Sequence, residues 1–184
     1  MRVVVIDYGM GNLHSVSKAL EAVGCDVVVT QKPSDLKEAD RIVLPGVGSF
    51  AQGMKHLLER GFVEALNKEV IEAAKPFLGI CLGMQLAAES GEEHGQTRGL
   101  GWIKGSVIRL DTTDAHVKVP HMGWNDIETT QESALFKDIR GPLTFYFVHS
   151  YHFVAAVHDV TAVCEHGIKF AAAIERDNIH LVQG

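Results

Sequence analysis

The feature that most constrains the fold is an alternation of short apolar runs and helical patterns in the first half of the chain. The apolar runs cover Arg2–Asp7, Asp26–Thr30, Arg41–Leu44 and Phe77–Ile80. Helical spacing of apolar residues extends from Asn12 to Gly24, from Phe50 to about Ala74 with Gly61 as a candidate break, and from Met84 to Ala88. This alternation predicts an α/β fold in which parallel strands are joined by right-handed helical crossovers.

The second half of the chain has a different pattern, with apolar runs separated by short connections. The predicted strands are Val107–Leu110, Leu143–Val148, Thr161–Glu165, Lys169–Ile174 and His180–Val182. They either extend the first sheet or form a small antiparallel layer. The polar, Gly-rich segment Gly91–Gly101 is expected to be a surface loop.

Composition excludes several classes of protein. A chain of 184 residues with 46% apolar and 22% charged residues is long enough for one domain and is not disordered. Its net charge of −6 argues against nucleic-acid binding. The N-terminal apolar run is too short for a signal peptide, no run reaches membrane-spanning length, and three widely spaced cysteines do not suggest disulfides. None of the ten histidines has convincing metal-ligand spacing. A soluble, cytosolic protein is expected.

The strongest chemical signal is the sequence Gly79-Ile80-Cys81-Leu82-Gly83, which joins an apolar strand to a helical pattern. It matches the G-x-nucleophile-x-G elbow, with Cys as the nucleophile. Small residues on both sides allow the sharp turn, and the N-terminus of the following helix is expected to favour the reactive thiolate. A buried structural cysteine is the alternative. For Cys25 and Cys164, which lie in or beside apolar strands, core packing is the better interpretation.

Two other segments follow predicted strands. Pro45-Gly46-Val47-Gly48 closes the strand before the elbow, and its backbone N–H groups, together with the Leu82 N–H, form a candidate oxyanion hole. In open α/β sheets, ligands bind at the carboxyl ends of the strands, which is where this segment lies. The segment Asp7–Asn12 looks superficially like a dinucleotide loop, but position 14 is His instead of Gly, which excludes that fingerprint.

His149 closes the run Phe145–Val148, where ligand contacts are also expected.

These residues together resemble the class I glutamine amidotransferase family, in which a Cys releases ammonia from glutamine. The resemblance covers residues 2–184 and, within the family, is closer to the glutaminase subunits of imidazole glycerol phosphate synthase. It rests on the stretches DYGMGNL, LPGVG, GICLGMQ, PHMGWN and YFVHSY, which begin at residues 7, 44, 79, 120 and 146. The resemblance implies a flavodoxin-like fold with a mainly parallel central sheet flanked by helices, as a single domain over residues 1–184.

The resemblance also implies roles for individual residues. Cys81 would attack the glutamine side-chain amide and form a thioester, while the Leu82 N–H and the backbone of Gly46, Val47 and Gly48 would stabilise the oxyanion. In this family the peptide between residues 46 and 47 is thought to reorient when the partner's site is occupied. The glutamine-binding residues would be Gln85, His149, Ser150 and Tyr151.

A partner follows from the same resemblance. It would be a cyclase subunit with a (β/α)8 barrel, which receives the ammonia through a channel and forms imidazole glycerol phosphate and AICAR in histidine biosynthesis. Asn12, Met122 and Trp124 would lie near the heterodimer interface, although Trp124 in a core would look the same in sequence. The barrel binds the phosphorylated substrate, so we expect no metal, phosphate or cofactor site in this chain.

One departure from the family concerns the catalytic base. The family uses a His in a His-x-Glu motif after a strand near the C-terminus, and no His-x-Glu occurs in these 184 residues. His180 lies too early, inside the strand pattern. We therefore expect the catalytic His and Glu to lie beyond residue 184, because both thioester formation and its hydrolysis require proton transfer.

Three alternatives stay open at the level of sequence. One is a glutaminase of anthranilate or guanylate synthesis, against which the PHMGWN stretch argues. Another is a catalytically incomplete subunit that binds the cyclase only. The third is a cysteine hydrolase or redox sensor related to flavodoxin-like chaperones, which would need neither glutamine contacts nor a barrel partner.

Overall fold

The computed structural model describes residues 1–111 and 117–184, which form thirteen strands and four α-helices. The strands are β1 (Arg2–Ile6), β2 (Asp26–Thr30), β3 (Arg41–Gly46), β4 (Phe77–Cys81), β5 (Ala88–Gly91), β6 (Thr97–Arg98), β7 (Ile103–Arg109), β8 (His121–Thr129), β9 (Thr144–His149), β10 (Tyr151–Ala155), β11 (Val160–His166), β12 (Ile168–Arg176) and β13 (Ile179–Val182). The α-helices are α1 (Leu13–Ala22), α2 (Phe50–Glu59), α3 (Phe62–Leu66) and α4 (Leu82–Gln85). Shorter helical turns cover Pro33–Glu38, Asn67–Glu72 and Val157–Asp159.

The central sheet has nine strands in the order β2-β1-β3-β4-β13-β12-β11-β8-β9. The first five are parallel to their neighbours, as expected from the strand–helix alternation. The other four join through antiparallel pairs. Short turns connect β11 to β12 and β12 to β13, so these pairs need no helical crossover. The α/β class is therefore confirmed, but the sheet is mixed: its parallel half carries the elbow and its antiparallel half extends it.

The two faces of β1 explain why the interior positions of this parallel strand are apolar. In β1, Val4 and Ile6 pack into the main core, whereas Val3 and Val5 point to the opposite face and pack against α1. A parallel strand covered on both faces has no solvent-facing side, so its interior positions are apolar. All four side chains are essentially unexposed to solvent.

A second sheet packs against the main core. Its strand order is β10-β7-β5-β6, and it shares the core with α2, α3 and α4 through residues such as Val107 and Phe153. The helix predicted for Met84–Ala88 was wrong in extent. It begins at Leu82, ends at Gln85, and gives way to β5 at Ala88. No helix in the described ranges has the length and hydrophobicity that crossing a membrane requires.

Two strands of functional interest were not predicted. Residues 121–125 of the PHMGWN stretch form the first part of β8, and the segment after Ser150 forms β10. Their polar and aromatic residues obscure the alternation by which a half-exposed strand is recognised. Part of the predicted loop Gly91–Gly101 is β-strand, because Thr97–Arg98 pairs with β5.

Candidate active site

The chain turns sharply at Cys81, where β4 gives way to α4. Cys81 has φ 53° and ψ −111°, a left-handed conformation that side-chain-bearing residues rarely adopt. Strained backbone of this kind clusters at functional sites because the surrounding structure must hold it in place. The geometry is that of the predicted nucleophile elbow.

The two glycines of the elbow are required by close backbone contacts. A Cβ on Gly83 would overlap the Leu44 carbonyl oxygen, and a Cβ on Gly79 would lie 2.7 Å from the Gly83 carbonyl oxygen. Neither contact can relax by moving a flexible side chain, since both involve backbone atoms. The G-x-C-x-G spacing therefore reflects the packing of Gly83 against β3 and of Gly79 against the turn itself.

The Cys81 thiol experiences opposing influences. Burial raises its pKa, whereas hydrogen bonds from the Leu82 N–H and from the Gln183 side chain lower it. The Gln183 Nε2 lies 3.6 Å from the Cys81 Sγ. We expected the following helix to favour the thiolate, but α4 spans only four residues and burial outweighs its contribution.

The PGVG turn lies directly beside the elbow. Gly46 in β3 is the register partner of Cys81 in β4, so the predicted oxyanion strand and the nucleophile are neighbours. Gly48 has φ +111°, and a Cβ there would lie 2.6 Å from the Met10 Cε. The turn thus packs against the Asp7–Asn12 loop, and Gly9, Gly11 and Gly48 all have a positive φ, which favours glycine.

A cleft of about 800 Å³ opens at this edge of the sheet and brings most of the predicted site together. Its lining includes every residue predicted as nucleophile, oxyanion hole or glutamine contact, and it also includes Asn12: the set is Asn12, Gly46, Val47, Gly48, Cys81, Leu82, Gln85, His149, Ser150 and Tyr151. Met122 and Trp124 lie outside the cleft. They are 64% and 73% exposed on β8, so the core alternative for Trp124 is wrong.

Gln85 connects the two sides of the cleft floor. Its Nε2 donates to the Tyr151 carbonyl oxygen at 3.1 Å and to the Gln183 Oε1 at 2.9 Å. Because the Gln183 Oε1 is engaged in this way, its amide NH2 group faces the Cys81 Sγ. The Tyr151 carbonyl, predicted to contact glutamine, is therefore engaged within the protein.

Sequence reasoning missed three residues of this site. Gln183 follows the last predicted strand and has no sequence motif within the chain. Tyr8 is fully buried, its hydroxyl lies where a Cβ on Gly46 would go, and burial raises its pKa. Glu93 lines the cleft and its Oε2 accepts a hydrogen bond from the Phe50 N–H at 2.9 Å, at the start of α2. For these three residues the sequence offered one signal, which is that Tyr8 belongs to the DYGMGN stretch.

The polar groups of the cleft are organised for acyl chemistry. Within residues 1–111 and 117–184, no group of three or more His, Cys, Asp or Glu side chains is arranged to hold a metal ion. The arrangement combines the Cys81 thiol with hydrogen bonds from the Leu82 N–H and from the amide side chain of Gln183. These are the components of thioester formation on an amide substrate.

Comparison with known proteins agrees with this geometry. The family described as "Glutamine amidotransferase class-I" matches residues 4–184. The imidazole glycerol phosphate synthase subunit HisH 1 of Campylobacter jejuni is 45% identical over 98% of this chain and 90% of its own length. The subunit HisH of Zymomonas mobilis is 50% identical over 98% of this chain and 86% of its own.

A solved structure described as a glutamine amidotransferase has a TM-score of 0.75 and 18% identity, and the alignment covers 98% of this chain and 88% of the other. That likeness concerns the fold alone, whereas the relatives named above share nearly half of their residues with this chain over almost its full length. They favour the histidine-pathway reading over glutaminases of anthranilate or guanylate synthesis. The chain thus belongs to the class I glutamine amidotransferase family and, within it, to the HisH subunits of imidazole glycerol phosphate synthase.

Proposed function

We propose that Cys81 is the nucleophile with which this subunit hydrolyses glutamine to glutamate and ammonia, as a cytosolic enzyme without a cofactor. The observation that carries the proposal is the strained Cys81 backbone at the floor of the cleft, beside Gly46 and within reach of the Gln183 amide. A thiol held in a strained turn, with hydrogen-bond donors around it, is suited to attack an amide carbon.

The first half-reaction forms a carbon–sulfur bond and breaks a carbon–nitrogen bond. The Cys81 sulfur attacks the glutamine side-chain carbonyl carbon, and the oxyanion is stabilised by the Leu82 N–H and by the backbone of Gly46–Gly48. The amide nitrogen leaves as ammonia after taking up a proton. Water then hydrolyses the thioester and releases glutamate.

Glutamine would be held by the cleft residues beyond the sulfur. Gln85 offers its side-chain Oε1, since its two amide hydrogens are already donated, and the backbone of His149, Ser150 and Tyr151 forms the facing wall. Contacts of the bound glutamine with Gln85 and with the facing wall would hold its amide carbon over the Cys81 sulfur. Holding the two reacting atoms close together raises the rate of the reaction.

Proton transfer is assigned to a base outside these 184 residues. In the described ranges, Gln183 is the side chain hydrogen-bonded to the Cys81 Sγ, and no histidine makes that contact. We retain the expectation that a His-x-Glu pair beyond Gly184 completes the site of a single domain. The relatives named above are longer, since this chain covers 86–90% of their lengths.

The ammonia would pass to a cyclase subunit built as a (β/α)8 barrel, in a heterodimer that makes imidazole glycerol phosphate and AICAR. Support comes from an exposed apolar face on the β8–β9 hairpin. Met122 pairs with Val148 and Trp124 pairs with Tyr146, and all four side chains are about half exposed or more. Exposed aromatic and Met side chains of this kind are enriched at protein interfaces.

A second candidate is a catalytically incomplete subunit that binds the cyclase without producing ammonia. The observation that favours it is the lack of a histidine hydrogen bond to Cys81 in the described part of the chain. The two proposals differ in one measurable respect: only the glutaminase releases ammonia when the His-x-Glu segment is present.

The test compares this chain with a version extended by the corresponding segment of a relative, each with and without a cyclase subunit. We expect glutaminase activity in the extended chain with strong stimulation by the cyclase, and loss of at least about 1000-fold on Cys81→Ala. Cys25→Ala serves as the matched control and is expected to leave the activity unchanged. An extended chain that binds the cyclase but releases no ammonia would favour the second candidate.

A further inference from the structure

A row of hydrogen bonds runs behind the cleft from β8 to the Tyr151 carbonyl group. The Asn125 Nδ2 lies 3.3 Å from the His121 Nε2, and the His121 Nδ1 lies 3.2 Å from the His149 Nε2. The His149 Nδ1 lies 2.9 Å from the Tyr151 carbonyl oxygen. The two histidines are 3% and 6% exposed, so the bonds that their nitrogens make must come largely from the protein.

The donors and acceptors of this row are fixed at both of its ends. The Asn125 Oδ1 accepts from the Asp126 N–H at 2.9 Å, and its Nδ2 also donates to the Glu165 carbonyl oxygen at 2.9 Å. The Asn125 amide therefore presents an N–H to the first ring, while the Tyr151 carbonyl can only accept from the second. A neutral imidazole has one N–H and one acceptor nitrogen, so both rings carry their proton on Nδ1.

We infer that Asn125 and His121 are positioning residues of the glutamine site, which act through the His149 ring to hold the Tyr151 carbonyl in place. The inference rests on the proposed function, because it assigns a task to residues behind the proposed glutamine pocket. It goes beyond that function because it assigns a role to the side chains of His149, His121 and Asn125. The proposed function used only the backbone of residues 149–151.

The Tyr151 carbonyl matters because it orients Gln85. Both amide hydrogens of Gln85 are donated, one to this carbonyl and one to the Gln183 Oε1. The Gln85 Oε1 is thereby left as the acceptor that a bound N–H group can use. If the carbonyl turned away, the Gln85 amide could rotate and exchange its donor and acceptor ends, which would place the wrong atom toward glutamine.

The two rings are packed against other aromatic and imidazole rings. His166 stacks on His121 with ring centroids 4.0 Å apart, and its Nε2–H donates to the Lys118 carbonyl oxygen at 2.8 Å. His152 is the other titratable side chain that influences His149. Phe147 and Phe170 pack against both rings of the row. An added proton on either ring would set two N–H groups opposite each other.

The first test is independent of catalysis. Nitrogen-15 NMR of histidine-labelled protein at pH 7 distinguishes the two neutral tautomers from each other and from the charged ring. We expect both His121 and His149 as the Nδ1–H tautomer, assigned with His121→Leu and His149→Leu. Observation of the Nε2–H tautomer or the charged form at either ring would overturn the inference, whatever the protein does with glutamine.

The second test measures glutamine use in the extended chain bound to its cyclase. His121→Leu removes the donor and is expected to raise KM for glutamine about fivefold with a smaller change in kcat, since a hydrogen bond contributes about 1 kcal/mol. His121→Asn retains an N–H near the position of Nδ1 and should keep KM within about twofold of the parent. His158→Asn, on an exposed side chain, is the matched control.

The outcomes separate the two proposals. Equal effects of His121→Leu and His121→Asn on KM, or no effect of either, would overturn the positioning role. If the parent protein releases no ammonia at all, the proposed function fails, and the rate at which 6-diazo-5-oxo-L-norleucine alkylates Cys81 replaces KM as the measure. A slower alkylation in His121→Leu than in His121→Asn would still support the inference.

Discussion

At the scale of single residues, the Cys81 thiol depends on one amide side chain. Gln183 is 1% exposed and its Nε2 points at the sulfur because its oxygen is held by Gln85. Gln183→Leu removes the donor to the thiolate, so we expect the pKa of Cys81 to rise by about one unit. A hydrogen bond to a charged group contributes about 1.5 kcal/mol, and one pKa unit corresponds to about 1.4 kcal/mol.

The pH dependence of Cys81 alkylation by iodoacetamide, followed by mass spectrometry, measures this shift. Gln131→Leu removes a glutamine outside the cleft, whose Nε2 donates to the carbonyl oxygens of His158 and Val160, and should leave the alkylation profile unchanged. An unchanged profile in Gln183→Leu would mean that the amide does not stabilise the thiolate.

A substitution at Gly83 tests how tightly the elbow packs. Its Cβ would overlap the Leu44 carbonyl oxygen, so Gly83→Ala is expected to lower the free energy of unfolding by about 2–3 kcal/mol. Gly141→Ala is the comparison, since Gly141 has φ +104° and open space around it, and therefore reports backbone strain without overlap. Urea denaturation of both variants measures the two effects, and an undisturbed Gly83→Ala would contradict the packing account.

Residues differ in how far their sequence context predicts their position. Cys81 and Gly46 could be placed beside each other because each closes an apolar strand, and parallel strands end at one edge. Gln183 could not, because its contact depends on β13 lying next to β4, a pairing between residues about a hundred positions apart. Periodicity reports local conformation, whereas such a contact depends on the topology of the whole sheet.

At the scale of elements, the β8–β9 hairpin carries an exposed aromatic pair. The rings of Trp124 and Tyr146 meet edge to face with centroids 5.5 Å apart, and both remain open to solvent. Trp124→Ala is expected to weaken binding of a cyclase subunit about thirtyfold, since a central Trp contributes about 2 kcal/mol to an interface.

Isothermal titration calorimetry with the cyclase measures this change, and thermal unfolding of the free subunit checks that the fold is intact. Val157→Ala is the control, because Val157 is 89% exposed and lies in another element. Full retention of affinity in Trp124→Ala would remove the hairpin from the proposed interface.

Elements were predicted best where the chain carries a continuous apolar run. β1 to β4 appear within a residue or two of their expected bounds, since a continuous apolar run has few alternative readings. β8 was missed because its hydrophobicity runs against its burial: the inner face carries His121, Gly123 and Asn125, whereas Met122 and Trp124 lie on the exposed face. Its role in the site comes from side-chain hydrogen bonds, which leave no periodic signal in the sequence.

At the scale of the whole molecule, the buried histidines make stability depend on pH. Burial, together with neighbouring imidazoles, lowers the pKa of His121 and of His149 to about 4, from an ordinary value of 6.5. Between these values the unfolded chain binds more protons than the folded one, so stability is fully present above about pH 6.5 and is lost as the pH falls. We expect the melting temperature to fall between pH 6.5 and pH 5.

Differential scanning calorimetry across this range measures the slope. His121→Phe removes one titrating ring and should flatten the dependence, whereas Phe147→Leu, which alters packing beside the same ring, should lower the melting temperature equally at every pH. A melting temperature that stays constant from pH 6.5 to pH 5 in the parent would contradict the assignment of neutral buried rings.

The order of the strands also governs how the molecule can be made. β13, formed by residues 179–182, lies between β4 and β12 and joins the parallel half of the sheet to the antiparallel half. During translation, β4 therefore leaves the ribosome about a hundred residues before its neighbour and presents an open apolar edge in the meantime. Such edges invite pairing with other chains. Synthesis rate and chaperone supply should accordingly govern the yield of this protein more than its final stability does.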